Sequence, residues 1–174
     1  MAIRECSLEG VYIIDGMRFP DNRGELVKPF SVSFMPKGVN ANFKETWFTK
    51  SKRDVIRGMH LQIEPVACEK LVSAIVGTVR DVLLDLRENS PTYGETYSVE
   101  LNGEDTKAIY IPKGIAHGYR VLEDSVVMYM ATEINVSKYD VGIRWDSFGY
   151  DWGIDSPILS DKDANLPVFE KKCI

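Results

Sequence analysis

Short runs of β-branched and aromatic residues alternate with turn-forming residues along most of the chain. Val, Ile, Tyr and Phe dominate these runs, and such residues favour extended backbone. Turn signals such as ENSPTYG and LNGED separate several of the runs. The pattern predicts nine strands, over residues 10–15, 42–51, 54–62, 70–77, 78–87, 96–102, 107–112, 117–122 and 125–133.

Helical periodicity is almost absent. Only LSDKDAN, residues 159–165, predicts a short helical turn, near the C-terminal end. Many short strands without alternating helices indicate an antiparallel sandwich or barrel, and we expect a jelly roll. The sequence therefore predicts an all-β fold in a single domain, residues 1–174, whose interior can hold a small ligand.

Composition and charge restrict the partners. The net charge of −5 creates no overall field for nucleic acid or an anionic membrane. No apolar run approaches the ~20 residues that span a bilayer, and the N-terminus has no apolar region of signal-peptide length. Cys6, Cys68 and Cys173 form no CxxC pair, which disfavours a disulfide framework or a zinc knuckle. We expect a cytoplasmic protein that binds neither nucleic acid nor membrane.

The chain has two histidines, His60 and His117. On a strand, side chains two residues apart share a face, so His60 faces the same way as Gln62. The same rule places Asp81 on one face with Leu83 and Asp85. Polar groups on an inward face are unfavourable unless they pair or bind a ligand. Each histidine is thus a hydrogen-bonded structural residue, a metal ligand or a base.

The metal interpretation lacks ligands. PKGIAH, residues 112–117, resembles the Pro-x-Gly-x-x-His segment of metal-binding cupins. Those proteins also carry a His-x-His pair, where this chain has His60-Leu61-Gln62, and a later Asn, where it has Val121. Two histidines without a clear third ligand make a poor site for zinc or iron. We therefore predict no metal and no cofactor.

A histidine base needs a group that fixes its tautomer, an electrophilic group for developing negative charge, and an acid. The chain offers candidates for each of these roles: Asp81 and Asp163, Lys70 and Arg57, and Tyr129. Composition and strand parity do not show whether these side chains lie close together in the folded protein. Asp163 also suits a helix cap, Tyr129 an ordinary strand position and Arg23 a solvated turn.

At this point the ordered motifs resemble a known family. VIRGMHLQ, EKLVSAIVGTVRDVLLDLRENSPTYG, YIPKGIAHGYRVL, VVMYMATE, GIRWDS and PILSDKDANLP follow one another as in dTDP-4-dehydrorhamnose 3,5-epimerases, and DNRGEL resembles the family's Asp-x-Arg-Gly turn. The resemblance covers nearly the whole chain. It implies a metal-free, cupin-like jelly roll, a double-stranded β-helix, that works as a homodimer. It also implies epimerisation beside the C4 ketone of a nucleotide-linked 4-keto-6-deoxysugar. The product would be used in cell-surface polysaccharide synthesis.

The resemblance also implies roles for individual residues. His60 matches the base, Asp163 the carboxylate paired with it, Lys70 the residue near the C4 oxygen and Tyr129 the acid on the opposite face. The residues that we expect to contact the substrate are Arg23, Glu45, Trp47, Arg57, Gln62, Asp81, His117 and Asn135. A non-catalytic sugar-nucleotide-binding jelly roll is the main alternative, although a pure binder has no need for a base and an acid.

Three departures from the family bear on specificity. Ile134-Asn135 replaces a Tyr-Tyr pair, and we predict that C3 epimerises faster than C5. Glu45-Thr46-Trp47 replaces Gln-x-Asn, while Glu25 and Lys28 replace an aromatic and an acidic residue beside the Arg-Gly turn. The last two changes suggest either another nucleotide, such as CDP or GDP, or a differently decorated sugar, such as a heptose.

Overall fold

The computed structural model describes residues 2–171. Within this range the chain forms strands β1 (Ala2–Glu5), β2 (Tyr12–Asp15), β3 (Met17–Asp21), β4 (Gly24–Lys28), β5 (Glu45–Ser51), β6 (Ile56–Gln62), β7 (Lys70–Val76), β8 (Thr78–Asp85), β9 (Thr96–Asn102), β10 (Lys107–Ile111), β11 (Ile115–Val121), β12 (Ser125–Ala131) and β13 (Asp140–Gly142). A four-residue helix, α1 (Asp161–Ala164), follows them. None of the helices among these residues is long and apolar enough to cross a membrane. Cys173 lies outside the described residues.

The nine predicted strands are confirmed as β2 and β5–β12, with shifts at their ends. The strand predicted from residue 42 begins at Glu45, where pairing with Ala131 begins. The predicted helical turn is α1. The sequence pattern missed β1, β3, β4 and β13, because these strands are short or mainly exposed and lack a strong apolar run.

The strands form two antiparallel sheets, as the all-β prediction requires. Across residues 2–171, the first sheet has the order β1-β2-β10-β7-β12-β5 and the second the order β13-β6-β11-β8-β9. Strands β3 and β4 make a separate hairpin, which turns at Asn22-Arg23 within the DNRGEL segment. Strands adjacent in the sheets are often distant in sequence, and this crossing topology encloses a single central core between the two sheets.

Alternation along each strand divides its side chains between that core and an outer layer. On β8, Val79 and Leu83 join the central core, whereas Val82 and Leu84 join a second cluster behind the sheet. The C-terminal segment covers this second cluster, with Trp152 almost fully buried in it. Residues 30–43 cover part of the other sheet in the same way. Both outer faces therefore hold apolar side chains without exposing most of them to water.

Two glycines allow β6 and β11 to approach each other closely. A Cβ on Gly58 would lie 2.5 Å from the Gly118 Cα, and a Cβ on Gly118 would lie 2.6 Å from the Arg57 carbonyl oxygen. The ladder between the strands shifts its register here, with His117 opposite His60. Gly58 and Gly118 therefore permit close backbone packing, and the contact sets both histidines opposite one another.

The carboxylate of Asp85 anchors the turn that follows β8. It accepts hydrogen bonds from the Arg87 backbone N–H at 2.9 Å and from the Ser90 and Thr92 hydroxyls at 2.7 Å each, and it pairs with the Arg87 guanidinium at 2.6 Å. Burial alone would raise the pKa of Asp85, but these hydrogen bonds lower it to about 2. The turn is thus stabilised by an ionised, fully buried carboxylate.

Acidification should destabilise the protein through Asp85. Its pKa is lower in the folded than in the unfolded state, so its contribution is complete above about pH 4 and is lost as the pH falls towards 2. The loss should reach about 2 kcal/mol, at about 1.4 kcal/mol per pKa unit. Urea unfolding between pH 5 and pH 2, as approximate limits, should show a weaker pH dependence in Asp85→Asn than in the wild type.

Asp105→Asn serves as the matched control. Asp105 is exposed and pairs with Lys107 at 3.3 Å, and surface pairs of this kind contribute little. An equal change in the pH dependence of both variants would contradict the role assigned to Asp85.

Candidate active site

A cavity of about 470 Å³ opens between the two sheets. Strands β5, β7 and β12 line one side and β6 and β11 the other, through the side chains that alternate inward. The structure places ten of the twelve predicted site residues in its wall: Glu45, Trp47, Arg57, His60, Gln62, Lys70, His117, Tyr129, Asn135 and Asp163.

His60 and Asp163 form a pair at the cavity wall. His60 Nε2 lies 2.7 Å from Asp163 Oδ1, and the Gly58 backbone N–H donates to Asp163 Oδ2 at 3.3 Å. Burial alone would raise the pKa of Asp163, but the bonds from His60 and Gly58 lower it overall. An ionised carboxylate only accepts hydrogen bonds, so His60 donates through Nε2 and keeps Nδ1 free. Ser160 caps α1 by accepting from the Asp163 backbone N–H, and the Asp163 side chain pairs with His60.

A second histidine–carboxylate pair lies behind the first. His117 Nε2 is 2.7 Å from Asp81 Oδ2, and both side chains are buried. Asp81 does not reach the cavity wall, so it supports His117 from within the core. Burial raises the pKa of Asp81, although His117 opposes this effect. Asp81 Oδ1 has no hydrogen-bond partner within the described residues.

Lys70 and Tyr129 project into the cavity from the sheet that faces His60. Lys70 opens β7 and Tyr129 lies near the end of β12. Burial lowers the pKa of Lys70, and nearby Asp81 and Asp140 partly offset this effect. Burial raises the pKa of Tyr129 well above its ordinary value, so the phenol holds its proton. The cavity thus combines an imidazole on one side with a lysine amine and a protonated phenol on the other.

Comparison with known proteins identifies the family. The family model for dTDP-4-dehydrorhamnose 3,5-epimerase matches residues 5–171. An enzyme of that name from Methanothermobacter thermautotrophicus is 40% identical over 168 residues, which cover 92% of this chain and 90% of the relative.

The chain belongs to the dTDP-4-dehydrorhamnose 3,5-epimerase family. The solved dTDP-4-dehydrorhamnose 3,5-epimerase from Elizabethkingia anophelis NUHP1 superposes with a TM-score of 0.90 at 36% identity, covering 97% of this chain and 96% of that one. A Legionella pneumophila dTDP-6-deoxy-D-glucose-3,5-epimerase, solved with dTDP-4-keto-L-rhamnose, has a TM-score of 0.88 at 29% identity, with 98% and 99% coverage. The predicted cupin-like jelly roll is confirmed, and the protein is an isomerase of the epimerase class.

Two of the departures from the epimerase family lie beside the phenol. The Trp47 ring stacks on Tyr129, with centroids 5.0 Å apart and planes inclined by 5°. Glu45 Oε2 accepts a hydrogen bond at 2.7 Å from the backbone N–H of Asn135, which belongs to the departure at Ile134-Asn135. These changes are therefore linked to one another around Tyr129.

Gln62 holds a loop. Its Nε2 donates to the carbonyls of Val66 at 3.1 Å and Ile134 at 3.3 Å, and its Oε1 accepts from the Val136 backbone N–H at 2.7 Å. Gln62 reaches the cavity wall, but its amide is committed to the backbone of the epimerase. Among residues 2–171, no group of three or more His, Cys, Asp and Glu side chains is arranged to hold a metal ion.

The two arginines that we expect to contact the substrate occupy different regions. Arg57 lines the cavity, and its Nε donates to Ser51 Oγ at 2.9 Å. Arg23 lies on the β3–β4 hairpin outside the cavity wall, with its side chain 84% exposed and paired with Asp21 at 2.6 Å. One chain by itself therefore does not bring Arg23 to the site.

Sequence reasoning missed several wall residues: Thr49, Cys68, Ala131, Glu133, Asp140, Ser160 and Lys162. Strand parity could have predicted two of them. Thr49 lies on the same strand face as Glu45 and Trp47, and Ala131 lies on the same face as Tyr129. Lys162 and Asp140, which pair at 2.6 Å, approach the cavity only through the tertiary fold.

Removal of the Gln62 amide should loosen the loop at Val136. Gln62→Met keeps the approximate volume but leaves the Val136 N–H without its acceptor, at an expected loss of about 1–3 kcal/mol. Hydrogen exchange should show faster exchange of the Val136 amide in this variant. Gln62→Glu keeps an acceptor oxygen and should leave that amide better protected than Gln62→Met does. Equal protection in all three proteins would contradict the assignment.

Proposed function

We propose that the protein epimerises a nucleotide-linked 4-keto sugar through an enolate, with His60 as base and Tyr129 as acid. The single observation that carries this proposal is that His60 and Tyr129 line one cavity from opposing sheets. Inversion of a carbon requires proton removal on one face and proton return on the other. The dTDP-linked ligand of the Legionella relative supports a substrate of this class.

His60 removes the proton from the carbon beside the ketone. The free Nδ1 accepts it, while Asp163 holds the ring through Nε2 and stabilises the imidazolium as it forms. Lys70 stabilises the negative charge that develops on the ketone oxygen by donating a hydrogen bond from its side-chain nitrogen, where little water competes. Tyr129 then protonates the carbon from the other sheet.

Arg57 and His117 bind the substrate in this scheme, with Asp81 fixing the His117 ring. The altered residues Glu45, Trp47 and Asn135 contact one another beside Tyr129, where the sugar reacts. Of the two suggestions from the sequence, this placement favours a differently decorated sugar over a different nucleotide. Initial rates with dTDP-, CDP- and GDP-linked 4-keto sugars compare the two suggestions directly.

Exchange in D2O tests the acid and the base separately. His60→Ala should lose deuterium incorporation at C3 and C5 by about 10²–10⁴-fold, because it removes the group that takes the proton in this scheme. Tyr129→Phe should still incorporate deuterium through His60 but should yield little inverted product. NMR of the sugar ring, with EDTA present, measures both quantities. Tight binding without exchange in the wild type would instead indicate the non-catalytic binding protein.

The two centres should not react equally. Ile134 and Asn135 occupy the loop where the family has a pair of phenols, so contacts to the sugar are lost on one side. We expect deuterium to enter C3 faster than C5 in a time course followed by NMR. Ile134→Tyr combined with Asn135→Tyr should narrow the difference. Equal rates in the wild type would contradict this prediction.

A homodimer is the proposed assembly, and it accounts for the position of Arg23. Strands β3 and β4 pair only with each other among residues 2–171, and an isolated two-stranded hairpin is marginally stable in water. Its side chains include exposed Phe19, Leu26 and Val27. Packing on a second copy would bury these side chains and deliver Arg23 to the partner's cavity.

Mixed dimers test this arrangement. Arg23→Ala and His60→Ala subunits, each impaired alone, are unfolded together and refolded at equal concentrations. If Arg23 serves the partner's cavity, one intact site forms in each mixed dimer, and about a quarter of the wild-type sites recover by random pairing. Activity that stays at the level of the separate variants would exclude a shared site. A monomeric mass by light scattering would exclude the dimer itself.

We also propose that residues 1–174 form one domain and that the enzyme works in the cytoplasm, where sugar nucleotides for surface polysaccharides are assembled. The thiols of Cys6 and Cys68, which are free, suit a reducing compartment. Fractionation of cells into cytoplasm, membrane and periplasm tests the location.

A further inference from the structure

The phenol ring of Tyr129 is held by two aromatic neighbours. The indole of Trp47 stacks on one face, with ring centroids 5.0 Å apart and planes inclined by only 5°. The His117 ring meets the phenol in an edge-on arrangement, with a centroid separation of 5.8 Å and an interplanar angle of 72°. Tyr129 also belongs to the central core and is only 7% exposed. A rotation of the phenol would therefore break the stack with Trp47.

The strand ladder brings Trp47 and Tyr129 together. The two residues are directly opposite one another on β5 and β12, and aromatic pairs in such positions stabilise a sheet. The Thr46 hydroxyl donates a hydrogen bond at 2.8 Å to the Tyr129 carbonyl, which ties the two backbones together at this level. Both aromatic side chains also line the cavity. The stack is thus fixed by the sheet itself and not by a loop.

The same stack limits what Trp47 can do for a ligand. The indole face that covers Tyr129 is not available to a nucleotide base or a sugar ring. The indole also packs against the central core. A tryptophan in this position acts on the reaction through the phenol, and the departure from Asn at this position becomes a change in the support of the acid.

The enolate can regain a proton in two ways. His60 returns a proton to the face from which it was removed, which retains the configuration, or Tyr129 protonates the opposite face, which inverts it. In both cases the electron pair of the enolate forms the new C–H bond and the ketone is restored. After inversion His60 releases its proton to solvent and the phenolate takes one up. Because proton transfer needs a donor within about 2.6–3.2 Å, the placement of the phenol determines the ratio of the two outcomes.

We propose that Trp47 is a positioning residue whose stack on Tyr129 holds the phenol where it protonates the enolate. The inference rests on the proposed function. His60 is held separately, by the Asp163 carboxylate at 2.7 Å. Loss of the stack should therefore impair inversion more than it impairs proton removal.

Reaction in D2O tests this role through one ratio, the amount of inverted product over the amount of deuterium-labelled substrate with unchanged configuration. NMR measures both species at the same carbon early in the reaction. Both arise from the same bound enolate, so the ratio does not depend on how tightly the substrate binds. Trp47→Asn and Trp47→Leu should each lower the ratio about tenfold. Trp47→Phe retains an aromatic face and should stay within about threefold of the wild type.

Two controls show whether Trp47 acts through the phenol. Trp47→Asn in a Tyr129→Phe background should lower the ratio no further, because the acid that it positions is already absent. Phe48→Ala removes the next aromatic side chain on β5, which is 62% exposed on the outer face, and should leave the ratio unchanged.

An unchanged ratio in Trp47→Asn and Trp47→Leu, with both products reduced equally, would show that Trp47 serves only binding or folding. An equal fall in Trp47→Phe would also contradict the inference, since that variant keeps a stacking ring. A wild-type protein that inverts no centre would instead contradict the proposed function, so the two failures are distinguishable.

Discussion

The site depends on the contact between the backbones of β6 and β11 at Gly58 and Gly118. No side chain fits between these strands, and their closeness sets His60 and His117 opposite one another. Each imidazole then needs a carboxylate on its Nε2 side. The sheet provides one from β8, whereas the other arrives on the helical turn α1 from far along the chain. One local backbone contact thus determines where two distant segments must meet.

The two histidine–carboxylate pairs have the same 2.7 Å separation but different access to water. The His60 side chain is 26% exposed, while that of His117 is 4% exposed. A base must release the proton that it removes, so the open histidine suits proton transfer and the sealed one suits ligand binding. Burial therefore distinguishes two histidines that each pair with one carboxylate through Nε2.

Strand parity predicted much of the fold and of the site because alternation is a local property. It correctly placed His60 with Gln62 in the cavity wall and Asp81 with Leu83 towards the core. The β3–β4 hairpin was harder to predict because its side chains are mostly exposed and give no alternation of burial. Lys162 could not be predicted either, since its approach to the cavity is set by how the C-terminal segment packs over a sheet.

Gln62 has a consequence for how such a site changes over evolutionary time. Metal-binding cupins have a second histidine where this chain has Gln62, and a single substitution would return one. That substitution would also release the Val136 N–H and the Ile134 carbonyl from the bonds that hold their loop. A variant with histidine in place of Gln62 would therefore have an unsupported loop and an incomplete set of metal ligands. Gln62 thus couples the support of this loop to the absence of a second histidine, because replacing the glutamine gives up the loop bonds before any metal can bind.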